Sequence, residues 1–80
     1  MWQVIQYYGY GYKRDFYFNK KENAENFFRK IIKKETLTWE EEGISPNFLG
    51  YNNWDEYIEA RLNAGKVEDV AIIQKIITED

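Results

Sequence analysis

The chain has no cysteine and no histidine, and only one serine and one proline, in 80 residues. Without cysteine there are no disulfides, no zinc-thiolate sites and no thiol catalysis. Without histidine it lacks the commonest general base and the commonest transition-metal ligand. Ser45 has no imidazole to activate it, so composition excludes Ser-His nucleophilic catalysis. No run approaches ~20 apolar residues, so no membrane-spanning helix is expected. Residues 1–8, MWQVIQYY, lack the basic start and long apolar run of a secretory signal. A small secreted domain usually carries disulfides, so a reducing, cytoplasmic setting is the expectation.

What the chain has in quantity is rings. Fifteen of its residues are Trp, Tyr or Phe. One domain over residues 1–80 is expected, and a chain this short buries only roughly 60–65% of its unfolded surface. Large side chains must therefore build the core, each aromatic ring burying roughly 150–250 Å².

The densest aromatic stretch is YYGYGYKRDFYF, residues 7–18. It reads as a hairpin. Residues 2–8 alternate as a strand, with Trp2, Val4 and Tyr8 on one face and Gln3, Ile5 and Tyr7 on the other. Residues 12–18 form the second strand, with Arg14, Phe16 and Phe18 opposite Lys13, Asp15 and Tyr17. Gly9 and Gly11 lie between them, where a tight turn needs positive φ.

Two helices follow. Asn19 and Glu22 have capping-box spacing, and Ala24, Phe27, Phe28, Ile31 and Ile32 form one apolar stripe, which predicts a helix over 20–35. Residues 36–53 read as a long loop punctuated by Gly43, Pro46 and Gly50, with single helical turns at TWEE and after Ser45. Trp39, Phe48 and Tyr51 are expected to dock this loop on the core. Asn53 and Glu56 repeat the capping pattern, Trp54, Tyr57, Ile58, Arg61 and Leu62 follow at helical spacing, and Gly65 closes the helix. Residues 66–78 are dense in Val and Ile and read as a strand, although several positions also fit a helix.

The predicted fold is α+β, in the order β-β-α-α-β: a three-stranded sheet of order 2-1-3 with two helices on one face. The other face then carries Gln3, Ile5, Tyr7, Tyr17, Ile73 and Ile77, an apolar patch that no helix covers unless the 36–53 loop folds over it. Such patches mark interaction sites. With Tyr10 and Tyr12, residues Ile5, Tyr7 and Tyr17 form one candidate partner surface, for another protein or for a second copy.

Charge defines a second candidate. Residues 1–39 carry eight basic and four acidic side chains, net +4, and residues 40–80 carry three and ten, net −7. The acidic groups Glu40, Glu41, Glu42, Asp55, Glu56 and Glu59 lack the alternating spacing of a calcium loop. They read as a solvated face available to a basic partner. Nothing in the chain assembles a catalytic set, a metal site or a cofactor loop, so a non-enzymatic binding role without cofactors is expected.

Gly9-Tyr10-Gly11-Tyr12 matches the centre of the RNA-recognition signature. Tyr8, Lys13 and Asp15 depart from that signature where it has a basic, an aliphatic and an aromatic residue. Tyr8, Tyr10, Tyr12, Lys13 and Arg14 are the residues of the alternative nucleic-acid reading. Lys13 and Arg14 are too small a cluster for strong phosphate binding, which usually uses several contacts, so a protein partner is favoured.

The acidic stretches TWEEEG, NNWDEYIEA and ITED, in one short domain without Cys or His, make the chain resemble the small proteins by which phages and plasmids block host defences, anti-CRISPR proteins among them. The resemblance implies a viral or mobile-element inhibitor in the cytoplasm of a bacterial host. Its acidic side chains would face the basic nucleic-acid groove of a host protein. The Lys/Arg-rich residues 13–34 depart from a uniformly acidic surface.

Overall fold

Alternation and glycine build the first hairpin. In the computed structural model, which describes residues 1–76, β1 spans Trp2–Tyr7 and β2 spans Lys13–Phe18. They pair antiparallel without a bulge, from Trp2 opposite Phe18 to Tyr7 opposite Lys13. A single 3-10 turn, Gly9–Gly11, joins them. Gly11 takes φ +81°, a conformation that glycine adopts without a Cβ penalty.

Helix α1 spans Lys21–Glu41 and is longer than its sequence reading. The expected loop over residues 36–53 loses its first six positions to this helix. The apolar stripe continues past Ile32 to Thr36 and Trp39, at helical spacing. The buried Thr36 hydroxyl donates to the Lys33 carbonyl at 2.8 Å, so its position in the helix leaves no polar atom unpaired. The capping box at Asn19 does not form. Lys20 is the extended residue before the first turn, and no side chain caps it.

The second helix starts and stops where its sequence signals lie. Helix α2 spans Trp54–Ala64. Its Glu56 N–H donates to Asn53 Oδ1 at 2.8 Å, and Glu56 Oε2 accepts from the Asn52 N–H at 3.0 Å. Gly65 ends it at φ +81°, and a Cβ there would sit 3.3 Å from the Ile73 carbonyl oxygen. Between the helices, Pro46–Leu49 forms the short turn expected after Ser45.

Residues 66–76 hold two strands rather than one. Strand β3 is Lys66–Val67 and β4 is Ala71–Lys75. The chain reverses between them because Asp69 adopts φ +63° and Val70 N–H donates to the Val67 carbonyl at 3.0 Å. Aspartate enters the left-handed region more readily than most residues, so no glycine or proline announces this turn. Positions 77 and 78 of the expected strand, with Ile77, lie outside the described residues, as does the stretch ITED.

The sheet therefore has four strands, all antiparallel, in the order β2-β1-β4-β3. This corrects the three-stranded order 2-1-3 by adding β3 at one edge. The α+β class, the central place of β1 and the presence of two helices agree with expectation. Val4 pairs with Phe16 on one side and Ile73 on the other, so Ile73 shares the helix-covered face. The expectation that Ile73 lies on the open face is thus corrected: the register puts Ile72 beside Ile5 there instead. Val4, Ala24, Phe28, Ile32 and Ala71 are fully buried at the centre of the core. Phe27 joins Phe16 and Phe18 at ring distances of 4.5 and 5.4 Å. Among the described residues, no helix is long and apolar enough to cross a membrane.

Candidate functional site

The hairpin tip is built by local chain geometry alone. Tyr8 N–H donates to the Tyr12 carbonyl at 2.8 Å and closes the turn. Inside it, Tyr10 adopts φ +67°, ψ +25°. For a bulky side chain this region is a genuine outlier. The Tyr10 ring is 102% exposed and the Tyr12 ring 72% exposed, so neither contributes to the interior. Tyr8 is less free. Its hydroxyl donates to Gln6 Oε1 at 2.9 Å, and its ring borders a hollow of about 360 Å³ against Lys34 and Thr38 of α1. Lys13 and Arg14 are exposed on the following strand, with the Arg14 guanidinium 5.4 Å over the Phe16 ring. Tyr8, Tyr10, Tyr12, Lys13 and Arg14 thus occupy one end of one hairpin.

The open sheet face carries Gln3, Ile5, Tyr7, Tyr17, Ile72 and Gln74. Polar side chains stitch it together. Gln74 Nε2 donates to Gln3 Oε1 at 2.7 Å, and Gln3 Nε2 donates to the Tyr17 hydroxyl at 3.2 Å. Gln3 and Ile5 are each only 9% exposed, although no helix lies over them. Neighbouring side chains on the same face shield them. The apolar patch is therefore narrower than the alternation implied. Tyr7 is half-buried beside a hollow of about 300 Å³ walled by the β3–β4 turn. Tyr17 is exposed next to the free edge of β2.

The acidic residues divide into two groups. Glu40 Oε1 accepts from the Trp54 indole N–H at 2.9 Å, Glu56 serves the α2 cap, and Glu59 accepts two hydrogen bonds from Arg29 at 2.9 and 3.0 Å. These contacts hold the Glu59 carboxyl below the usual carboxylate range and raise Arg29. Among the described residues, no side-chain hydrogen bond or ion pair engages Glu41, Glu42 or Asp55. Glu40, Glu41 and Glu42 end α1 while Asp55, Glu56 and Glu59 lie on α2; the Glu40–Trp54 bond links the end of α1 to the start of α2, whereas Glu59 sits against Arg29, farther back along α1.

The segment between the helices behaves in two ways. Trp39 and Tyr51 pack on Tyr57 at ring distances of 5.8 and 5.3 Å, as expected of docking rings. Phe48 does not dock. It is 78% exposed, and Leu49 beside it is also exposed. Pro46 starts a separate turn there, and that proline is the one sequence signal that detaches Phe48 from the helices. Among the described residues, no group of three or more acidic side chains is arranged to hold a metal ion. No family model, curated protein or solved structure matches this chain significantly.

Proposed function

We propose that this domain is a non-enzymatic binding module that recognises a partner protein through the tyrosines of its first hairpin tip. The observation that carries this reading is Tyr10. Its left-handed backbone costs about 1–2 kcal/mol for an L-residue, and its fully exposed ring gains no contact among the described residues to offset that. A ring presented this way serves something outside the fold. Tyrosine anchors interfaces because it offers a large rigid surface with little conformational entropy to lose. The acidic side chains Glu41, Glu42 and Asp55 form the secondary contact surface. The resemblance to mobile-element inhibitors of host defence gives the concrete version, with those carboxylates facing a basic groove.

A Tyr10→Gly variant tests the reading, since glycine suits the same backbone. Cross-linked partners captured by wild type and lost by this variant, in a fold of equal or greater stability, support it. An unchanged capture profile sinks it. A second reading is favoured by the exposed Tyr12, Lys13 and Arg14 beside Tyr10: stacking on single-stranded nucleic acid. Binding of a labelled oligonucleotide that weakens steeply with salt and disappears in both Tyr10→Ala and Arg14→Ala selects that reading instead.

A further inference from the structure

Among the described residues, strand β2 is an edge strand whose outer side is unpaired. The sheet order puts β1 on its only neighbouring side. The alternation of hydrogen bonds identifies the groups left over. Tyr7 N–H reaches the Val70 carbonyl, on the β4 side, at 2.9 Å, and Tyr8 N–H reaches Tyr12, on the β2 side, at 2.8 Å. Antiparallel ladders alternate residue by residue. Even-numbered residues of β2 therefore bond β1, and Lys13, Asp15 and Tyr17 direct their N–H and C=O groups outward. The edge is six residues long, has no proline and has no bulge. At the opposite edge, β3 is only two residues long.

Folded proteins guard such edges with like charges, prolines or bulges. Here the charge is selective. Strand β2 carries Lys13 and Arg14 side by side against Asp15, net +1, with both cations at the end nearer the hairpin tip. Two copies of this edge paired antiparallel about Asp15 would set two carboxylates side by side. A strand with carboxylates opposite Lys13 and Arg14 meets unlike charge there instead. Lys13 and Arg14 point to opposite faces, so an incoming antiparallel strand complements them with two adjacent carboxylates, one per face. Phe16, Tyr17 and Phe18 ask for apolar or β-branched residues further along.

We propose that an extended acidic segment of a partner protein adds to the sheet as a fifth strand along β2, reading as apolar residues followed by paired carboxylates. This rests on the first hairpin being the recognition element. It adds the conformation and charge of the one partner segment that meets β2, apart from the basic groove that would face Glu41, Glu42 and Asp55. Backbone hydrogen bonds to Lys13, Asp15 and Tyr17 supply the attachment, and side chains set the register.

The probe is the peptide Val-Thr-Val-Lys-Glu-Glu, with Val-Thr-Val-Glu-Lys-Lys as its charge-reversed control, added to the full chain and followed by amide hydrogen exchange. The expected result is slowing of about tenfold or more at Lys13, Asp15 and Tyr17, with the control peptide without effect. A double variant Lys13→Glu, Arg14→Glu exchanges the preference between the two peptides. Asp15→Pro removes the central outward N–H while leaving the β1 ladder intact, and abolishes protection by the acidic peptide. No protection by the acidic peptide, equal protection by both, or protection that appears on concentrating the protein alone with a doubled mass overturns the proposal. Tyr10→Gly separates it from the tip reading, because edge protection persists in that variant whether or not tip recognition is real.

Discussion

Two parts of the molecule are equally rich in rings and use them in opposite ways. Around Tyr57, the rings of Trp39, Tyr51 and Trp54 meet at centroid distances of 5.3–5.9 Å, in tilted or edge-to-face arrangements. At the hairpin tip, Tyr10 and Tyr12 touch no other ring and stand in water. In the first group Trp39, Trp54 and Tyr57 lie on two packed helices and Tyr51 on the segment that leads into α2, so all four meet at one seam and each ring excludes water from the next. The second lies on a turn of three residues, which has no inner side. Ring content is the same kind of information in both stretches. Backbone geometry decides whether it stabilises the fold or leaves a surface to be read.

That contrast can be broken from the buried side first. Tyr57→Ala removes the ring shared by the whole cluster, and urea unfolding should register a loss of about 3–5 kcal/mol. The same truncation at Tyr12 should stay within about 0.5 kcal/mol. A loss above ~2 kcal/mol at Tyr12 would mean that the tip belongs to the fold after all.

Burial also pushes the Tyr57 phenol above its ordinary value, with the Arg61 guanidinium opposing the shift. The folded state therefore holds this proton longer than the unfolded state does. Its contribution is fully present below about pH 10, the unfolded value, and is lost as pH rises through the folded one. Tyr57→Phe should flatten that alkaline decline in a pH series of urea midpoints. An unchanged slope would mean that burial of the ring does not reach the Tyr57 hydroxyl.

At the tip the expected sign reverses. Tyr10→Gly should stabilise the domain by about 0.5–1 kcal/mol, because a strained left-handed residue is relieved. Asp69→Gly, at the other left-handed turn, should change stability by less than about 0.5 kcal/mol, since aspartate already tolerates that region. If Tyr10→Gly destabilises as a ring deletion would, the proposed external role loses its physical basis.

The smallest effect lies outside both clusters, at the pair that ties α1 to α2. Arg29 and Glu59 are solvent-exposed, so Glu59→Gln should cost about 0.5 kcal/mol or less, and less still in high salt. The Glu59 carboxyl is held low in the folded state, so this contribution is present above the ordinary carboxylate range and fades as pH falls through the folded value.

Much of the scaffold could be read from residue order. Gly9 and Gly11 between alternating strands defined a hairpin, and Asn53 with Glu56 and Gly65 bounded α2, because each signal acts over three or four residues. The readings that failed depended on distant parts of the chain. Helix α1 extends through Thr36 because Trp39 finds Trp54 and Tyr57 across the helix pair, which local propensity does not reveal. The break between β3 and β4 turns on Asp69, whose conformation leaves no glycine behind. Whether Ile72 or Ile73 faces the helices followed from a register with β1, some seventy positions away. The candidate site was legible as a list of tyrosines. Their exposure was not, since a tyrosine at a strand end serves a core or a surface equally well.

The centre of the sheet joins the start of the described chain to its end: β1 is flanked by β4, and the Ile76 N–H reaches the Met1 carbonyl at 2.9 Å. During synthesis, at roughly 5–20 residues per second, the initial hairpin must wait about 3–11 s for the strand that completes it. Until then β1 offers Gln3, Ile5 and Tyr7 along an unfilled border. A ribosome that stalls late in the message would release a polypeptide with two sticky sides instead of one, and such fragments should be prominent among its insoluble products.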